Sequence, residues 1–172
     1  MEEQITLKRL SSQEEATALD ATFSVIYPWH SSSDYYEKCL AENREGIRVT
    51  LIAYYGKEMA GCCHLLYSSA YPDFKCNGIP EINDLNVFPA YRRRGIANAI
   101  FDELEAVAAK TGDKIGLGVG LYKDYGNAQM MYTQRGYVLD GNGIMYANEA
   151  VRPGTNVRVD DDLLLYLVKT LV

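Results

Sequence analysis

At 172 residues, with 48% apolar and 23% charged side chains, the chain suits one domain over residues 1–172 with length for a hydrophobic core. A net charge of −6 argues against a general nucleic-acid binder, which carries a basic face. No apolar run reaches the roughly 18 residues that a membrane-spanning helix needs, and MEEQITLKRL lacks the basic start and apolar stretch of a secretion signal, so a cytoplasmic protein is expected.

ITLKRL alternates like a short strand. In SSQEEATALDATF, Ser11 and Glu14 stand at capping-box spacing and predict a helix to about Phe23. SVIYPWHSSS is a loop broken by Pro28, and SDYYEKCLAENREG predicts a second helix capped by Ser33 and stopped at Gly46. Two β-rich runs then flank a turn at Gly56 and Lys57, a hairpin. YPDFKCNGIP is expected as a loop, and EINDLNVF as a strand ended by Pro89.

GIANAIFDELEAVAAKTG is the plainest helix, with Ile96, Ile100, Leu104 and Val107 at helical spacing and Gly112 at its end. KIGLGVG reads as a short apolar strand and GNAQMMYTQRGY as a compact helix with a glycine stop. YVLD, GIMYANEAV and DDLLLYLVKTLV supply further strands, with NEAVRPGTNVRVDD as a long connection. The order is mixed α/β with hairpins, not a regular βαβ repeat.

Cys39, Cys62, Cys63 and Cys76 contain no C-x-x-C spacing, which leaves zinc-ribbon and thioredoxin readings without support. Cys62 and Cys63 are strand neighbours that should point to opposite faces as buried, reduced thiols. His30 and His64 are too few for a histidine metal cage, and no metal is expected.

YRRRGIANAI, residues 91–100, joins three arginines and a glycine to a helix start. The first helical amides lack intrahelical partners, the helix dipole adds positive charge there, and Gly95 has no side chain to block approach. Such a place holds an anion, naturally a phosphate or pyrophosphate; the plainer alternative is a helix start with solvated arginines. No G-x-x-x-x-G-K-[ST] loop is present. GLGVG offers only G-x-G-x-G inside a strand, which argues against a dinucleotide fold.

A second constellation follows, with Asn127, Ala128, Tyr132, Gly136 and Tyr137 in GNAQMMYTQRGY. Together the two segments resemble the GNAT superfamily of acyl-CoA-dependent N-acyltransferases. RRRGIA matches its (Arg/Gln)-x-x-Gly-x-(Gly/Ala) loop at Arg92, Gly95 and Ala97, and the tyrosine four residues before a Gly-aromatic pair matches its later helix. The resemblance runs from about Glu81 to Tyr137. It implies an α/β (α+β) fold with a mixed, largely antiparallel central sheet, splayed middle strands and about four flanking helices.

It further implies acetyl-CoA as acyl donor and a small-molecule amine as acceptor, joined by direct attack. The donor's pyrophosphate would lie over the amides of residues 93–97, with Arg92, Arg93, Arg94, Gly95, Ile96 and Ala97 forming the loop. Its amide arm would pair with the backbone of Leu85, Asn86 and Val87, the Val87 amide polarising the thioester carbonyl. Tyr132 matches the family's general acid. Asn127 matches a position that contacts the cofactor arm, or else caps its helix. Glu81 and Asp84 are rival bases, with a water-mediated route as a third option.

The acceptor wall of the family falls here on Tyr27, Trp29, His30, Tyr35 and Tyr36, whose faces suit a cation. They could equally fold the loop onto the core, and the tail loop over residues 152–160 could close on the same place. Polyamines, amino acids, aminoglycoside-like amines and protein N-termini or lysines stay open as acceptors, as does a non-catalytic acyl-CoA-binding domain. Homodimers are common among look-alikes, but nothing in the sequence shows an interface.

Overall fold

The computed structural model describes residues 4–31 and 33–172. Among them, nine strands and five α-helices follow one another as β1 (Ile5–Arg9), α1 (Gln13–Ile26), α2 (Tyr35–Glu45), β2 (Arg48–Tyr55), β3 (Glu58–Leu66), α3 (Pro72–Asn77), β4 (Glu81–Val87), α4 (Ile96–Ala108), β5 (Lys114–Gly120), α5 (Gly126–Gln134), β6 (Val138–Leu139), β7 (Met145–Tyr146), β8 (Glu149–Ala150) and β9 (Leu163–Thr170). This is a mixed α/β fold with a largely antiparallel sheet. The chain contacts divide it into two compact units, one holding the described residues up to Leu66 with Asp84–Leu104, the other Tyr67–Asn83 with Glu105–Val172.

In the first unit the strands run in the order β1-β2-β3-β4. The hairpin turns at Gly56, whose φ of +61° favours glycine, so that Tyr55 pairs with Glu58. β2 is buried over most of its length, because it is covered on both faces. Leu19 and Phe23 of α1 and Tyr36 and Leu40 of α2 meet Ile52, Cys62 and Phe88 in one apolar cluster.

Several local signals settle one step from where the sequence put them. The α1 capping box uses Ser12 and Glu15, not Ser11 and Glu14. Ser12 is the residue with extended backbone, its hydroxyl accepts from the Glu15 amide, and Glu15 accepts from the Ser12 amide in return. α1 also continues past Phe23 to Ile26. The N-cap of α2 is Asp34 rather than Ser33, with no side-chain cap bond.

β3 and β4 approach closely. The Phe88 amide donates to the Ala60 carbonyl at 2.8 Å, and a Cβ on Gly61 would lie 2.4 Å from the Asn86 carbonyl oxygen. Backbone cannot step aside cheaply, so Gly61→Ala should cost about 1–3 kcal/mol, read as a lower denaturant midpoint. An unchanged midpoint would mean that the two strands are not this close.

His64 on β3 is fully buried, with Nδ1 at 2.9 Å from the Thr50 hydroxyl and no hydrogen-bond partner at Nε2. Burial, with help from the Arg48 charge, pulls its pKa down to about 3. The unfolded chain therefore takes up this proton first as pH falls below the ordinary histidine value of about 6.5, and the folded state loses stability. His64 alone should cost about 2 kcal/mol by pH 5, and His64→Gln should flatten that part of the pH profile. Equal slopes in both proteins would contradict the assignment.

In the second unit β4 opens a parallel pairing with β5, Glu81 opposite Gly116 and Ile82 opposite Leu117. β9 pairs antiparallel with β5 from Lys114↔Thr170 to Gly120↔Leu164, and with β6 and β7. The segment expected as a loop at YPDFKCNGIP contains α3: Pro72 occupies its first turn and Gly78, at φ +63°, ends it. GIMYANEAV folds into two short strands, turning at Ala147 and Asn148 with φ of +49° and +67°.

The alternating glycines of GLGVG have a packing reason. A Cβ at Gly116 would lie 2.3 Å from the Phe74 ring, one at Gly118 3.0 Å from Tyr166, and one at Gly120 2.3 Å from Tyr125. One face of β5 is kept bare for aromatic rings. Nearby, Glu105 gathers Arg135 at 3.2 Å, the Tyr137 hydroxyl at 3.1 Å and Lys169 at 2.7 Å.

Candidate active site

β4 ends in a short turn, Pro89–Tyr91, and the chain reaches α4 through Arg92–Gly95. The turn requires left-handed backbone at Arg93 (φ +62°) and at Gly95 (φ +82°). The Ala99 amide makes an intrahelical bond to the Gly95 carbonyl at 3.0 Å, so the amides of Gly95, Ile96 and Ala97 precede the bonded ladder. No acidic side chain stands in the first turn of α4. Amides, dipole and missing acid together suit an anion.

The three arginines do different things. Arg92 donates from Nε to the Val87 carbonyl at 3.2 Å. Arg94 lies over the Tyr55 ring at 4.6 Å and the Tyr91 ring at 5.9 Å. Arg93 is exposed.

The edge of β4 follows from its neighbours. The Asn86 carbonyl and the Phe88 amide both face β3. Backbone polar groups alternate sides along a strand, so the Val87 amide and carbonyl face the other edge. Arg92 occupies that carbonyl and leaves the Val87 amide presented beside it. Asp84 interrupts the strand with φ +54°, and the Asn86 amide group bonds its carbonyl at 3.2 Å and its carboxylate at 2.9 Å.

Asp84 also lines a cavity of about 250 Å³ with Phe23, Trp29, His30, Ser31, Tyr35 and Tyr36. Of the five aromatic residues proposed from sequence, four line it. Tyr27 does not; it stacks on Trp29 with centroids 5.0 Å apart. Phe23 and Ser31 were missed: Phe23 reads as an ordinary apolar helix residue, and Ser31 as one serine in a run of three. Behind the cavity, buried Asp20 accepts from His30 Nε2 at 2.9 Å and from the Tyr36 amide at 3.2 Å. Asp84 keeps an exposed face, yet desolvation raises its carboxyl above the ordinary range, opposed by Asn86 and by the charges of Arg48 and His30.

The remaining candidates lie in the second unit. Glu81 is buried, accepts from the Ser69 hydroxyl and lies 3.5 Å from the Asn83 amide. Desolvation raises its carboxyl, and those two bonds oppose the shift. Tyr132 is buried on α5, its ring 6.3 Å from Tyr137. Asn127 is exposed on the same helix and does not cap it, since Tyr125 holds the N-cap position. Among the described residues no cluster of metal-ligating side chains occurs, and no helix is long and apolar enough to cross a membrane.

The model of the acetyltransferase (GNAT) family matches residues 13–137, well over half of the chain. The chain belongs to that family. As a GNAT acetyltransferase it has no match among curated protein sequences. Its fold is shared with a spermidine/spermine N-acetyltransferase from Vibrio cholerae, at 12% identity and a TM-score of 0.66 over 98% of this chain and 93% of that one. An aminoglycoside 6'-N-acetyltransferase complexed with coenzyme A is similar at 15% identity, TM-score 0.65, over 97% of both chains. Arabidopsis thaliana Naa50, bound to the bisubstrate analogue CoA-Ac-MVNAL, is similar at 16% identity, TM-score 0.63, over 96% of this chain and 98% of that one.

The GNAT donor is a CoA thioester, and the residues present suit it. The loop offers bare amides without a competing acid, the space over Gly95 is open with Ile5 the nearest atom at 3.9 Å, and the Val87 amide faces outward from β3. Burial pushes the Cys39 thiol up to about 11 and raises Cys62 and Cys63 as well, which makes these three poor nucleophiles; Cys76 is exposed.

Proposed function

We propose that this GNAT protein moves the acetyl group of acetyl-CoA to the amine of a small molecule by direct attack in a ternary complex. The observation that carries the reading is the continuous stretch from Val87 to Ala97, with an outward strand amide at one end and bare helix-start amides at the other. Acetyl-CoA supplies an activated thioester. The amides of residues 93–97 hold its pyrophosphate, aided by the charge of Arg92, Arg93 and Arg94, with Ile96 and Ala97 opening the helix.

Leu85 and Val87, whose backbone groups face away from β3, hold the amide arm by backbone pairing, whereas Asn86 turns its carbonyl to β3; the Val87 amide stabilises the charge that develops on the carbonyl oxygen. Asn127 contacts the arm. Glu81 takes the proton of the attacking amine, directly or through water; its desolvated carboxyl has a basicity above that of an ordinary carboxylate, which suits a base. Tyr132 gives a proton to the departing thiolate. Trp29, His30, Tyr35 and Tyr36 wall the acceptor, with Tyr27 backing Trp29 and Asp84 as the counter-charge. The free cysteines suit a reducing, cytoplasmic setting.

The test is mass spectrometry of an amine mixture incubated with the protein and acetyl-CoA. One acetyl group added to a small amine supports the reading. Acetylation confined to peptide N-termini or lysines would move it to protein substrates, and CoA binding with no acetylated product would make the chain a sensing domain.

A further inference from the structure

The acceptor cavity carries a single negative charge between aromatic walls, and we infer that it takes a small amine bearing one positive charge on a flat apolar body. The inference rests on the acetyl-transfer reading and narrows its substrate class. At about 250 Å³ the cavity falls below the usual range for ligand pockets, about 300–1,000 Å³, so a small acceptor fits. Phe23 packs on Tyr36 and Tyr35 on Tyr36 with ring centroids 5.0 and 4.9 Å apart, and all three line the cavity. Such walls favour an aromatic guest and an ammonium alike.

Asp84 is the carboxylate that lines the cavity. Buried Asp20, which bonds two of the lining residues, is spent on His30 and the Tyr36 amide. Arg48, paired with Glu42 and with one guanidinium nitrogen buried without a hydrogen-bond partner, is near enough for its charge to act on Asp84. A second ammonium would find no further carboxylate in the lining. Polyamines and aminoglycosides, the substrates named for two similar structures, therefore fit this cavity poorly.

The protein carries its own reporter. Trp29 is the chain's single tryptophan, lines the cavity and is 61% exposed. Its fluorescence should be titrated at pH 8, without acetyl-CoA, with 2-phenylethylamine, its neutral analogue 2-phenylethanol, and spermidine. The amine should saturate the signal, with the alcohol and spermidine each at least tenfold weaker. Asp84→Asn should bring the amine down to the level of the alcohol; Asn tolerates the left-handed backbone at this position, so the strand keeps its shape.

Spermidine binding as tightly as 2-phenylethylamine, an alcohol equal to the amine, no saturable signal, or an unaffected Asp84→Asn protein would each overturn the inference. The titration needs no turnover, so its failure is separable from that of acetyl transfer. Acetylation of spermidine would keep the transfer reading and remove only this acceptor class.

Discussion

Tyr132→Phe is expected to lower turnover at least 100-fold while acetyl-CoA affinity stays within about twofold, since a positioned general acid contributes about 10²–10⁴. The substitution removes one oxygen and keeps the ring. Tyr132 is 8% exposed and packs near Tyr137, and phenylalanine fills the same space on α5. What disappears is the proton offered to the departing thiolate. A loss in kcat without a matching loss in donor binding is the signature of an interaction made only in the transition state. Wild-type turnover in this variant would remove the acid role from Tyr132 and leave it a buried aromatic.

Gly95→Val should weaken acetyl-CoA binding at least tenfold and leave the rest of the fold nearly intact. The argument rests on backbone rather than space. An added Cβ would meet nothing closer than Ile5 at 3.9 Å, but φ at Gly95 is +82°. An L-residue there costs roughly 1–2 kcal/mol, and a β-branched one more. The loop can relieve the strain by changing its backbone dihedrals, which turns the amides of residues 95–97. Calorimetric titration with acetyl-CoA measures this, and unchanged affinity would dissolve the pyrophosphate-loop assignment. Arg94→Ala is a useful companion, because the Arg94 guanidinium stacks on Tyr55 and its loss should matter less.

Elements governed by local rules could be read in the sequence. The helix from Ile96 and the strand before Pro89 followed from periodicity and from proline and glycine chemistry. The Ser12 cap was displaced by one residue because Ser11 and Ser12 present the same hydroxyl, and only backbone geometry decides between them. α3 was missed although Pro72 and Gly78 bracket it, since six residues are too few to show a period.

The backbone part of the proposed site could be named in the sequence, Gly95 for its missing side chain and the Val87 amide through the family resemblance; Gly95 has φ +82°, which favours glycine. The site was less legible where distant segments converge. Glu81 and Asp84 stood in the sequence as rival bases on one strand, and only the structure shows Asp84, with left-handed backbone, in the wall of the aromatic cavity. Phe23 joins the same wall from α1, which no local pattern in that helix announces. The alternating glycines of β5 could be separated from a phosphate motif, but their partners Phe74, Tyr125 and Tyr166 could not be foreseen.

The central claim, acetyl transfer from acetyl-CoA to a small amine, is tested most directly by free-thiol release with purified protein, acetyl-CoA and a panel of amines. The expected result is amine-dependent thiol release, carried by small monoamines, that falls at least 100-fold in Tyr132→Phe. Tight acetyl-CoA binding with no thiol release for any amine would contradict it.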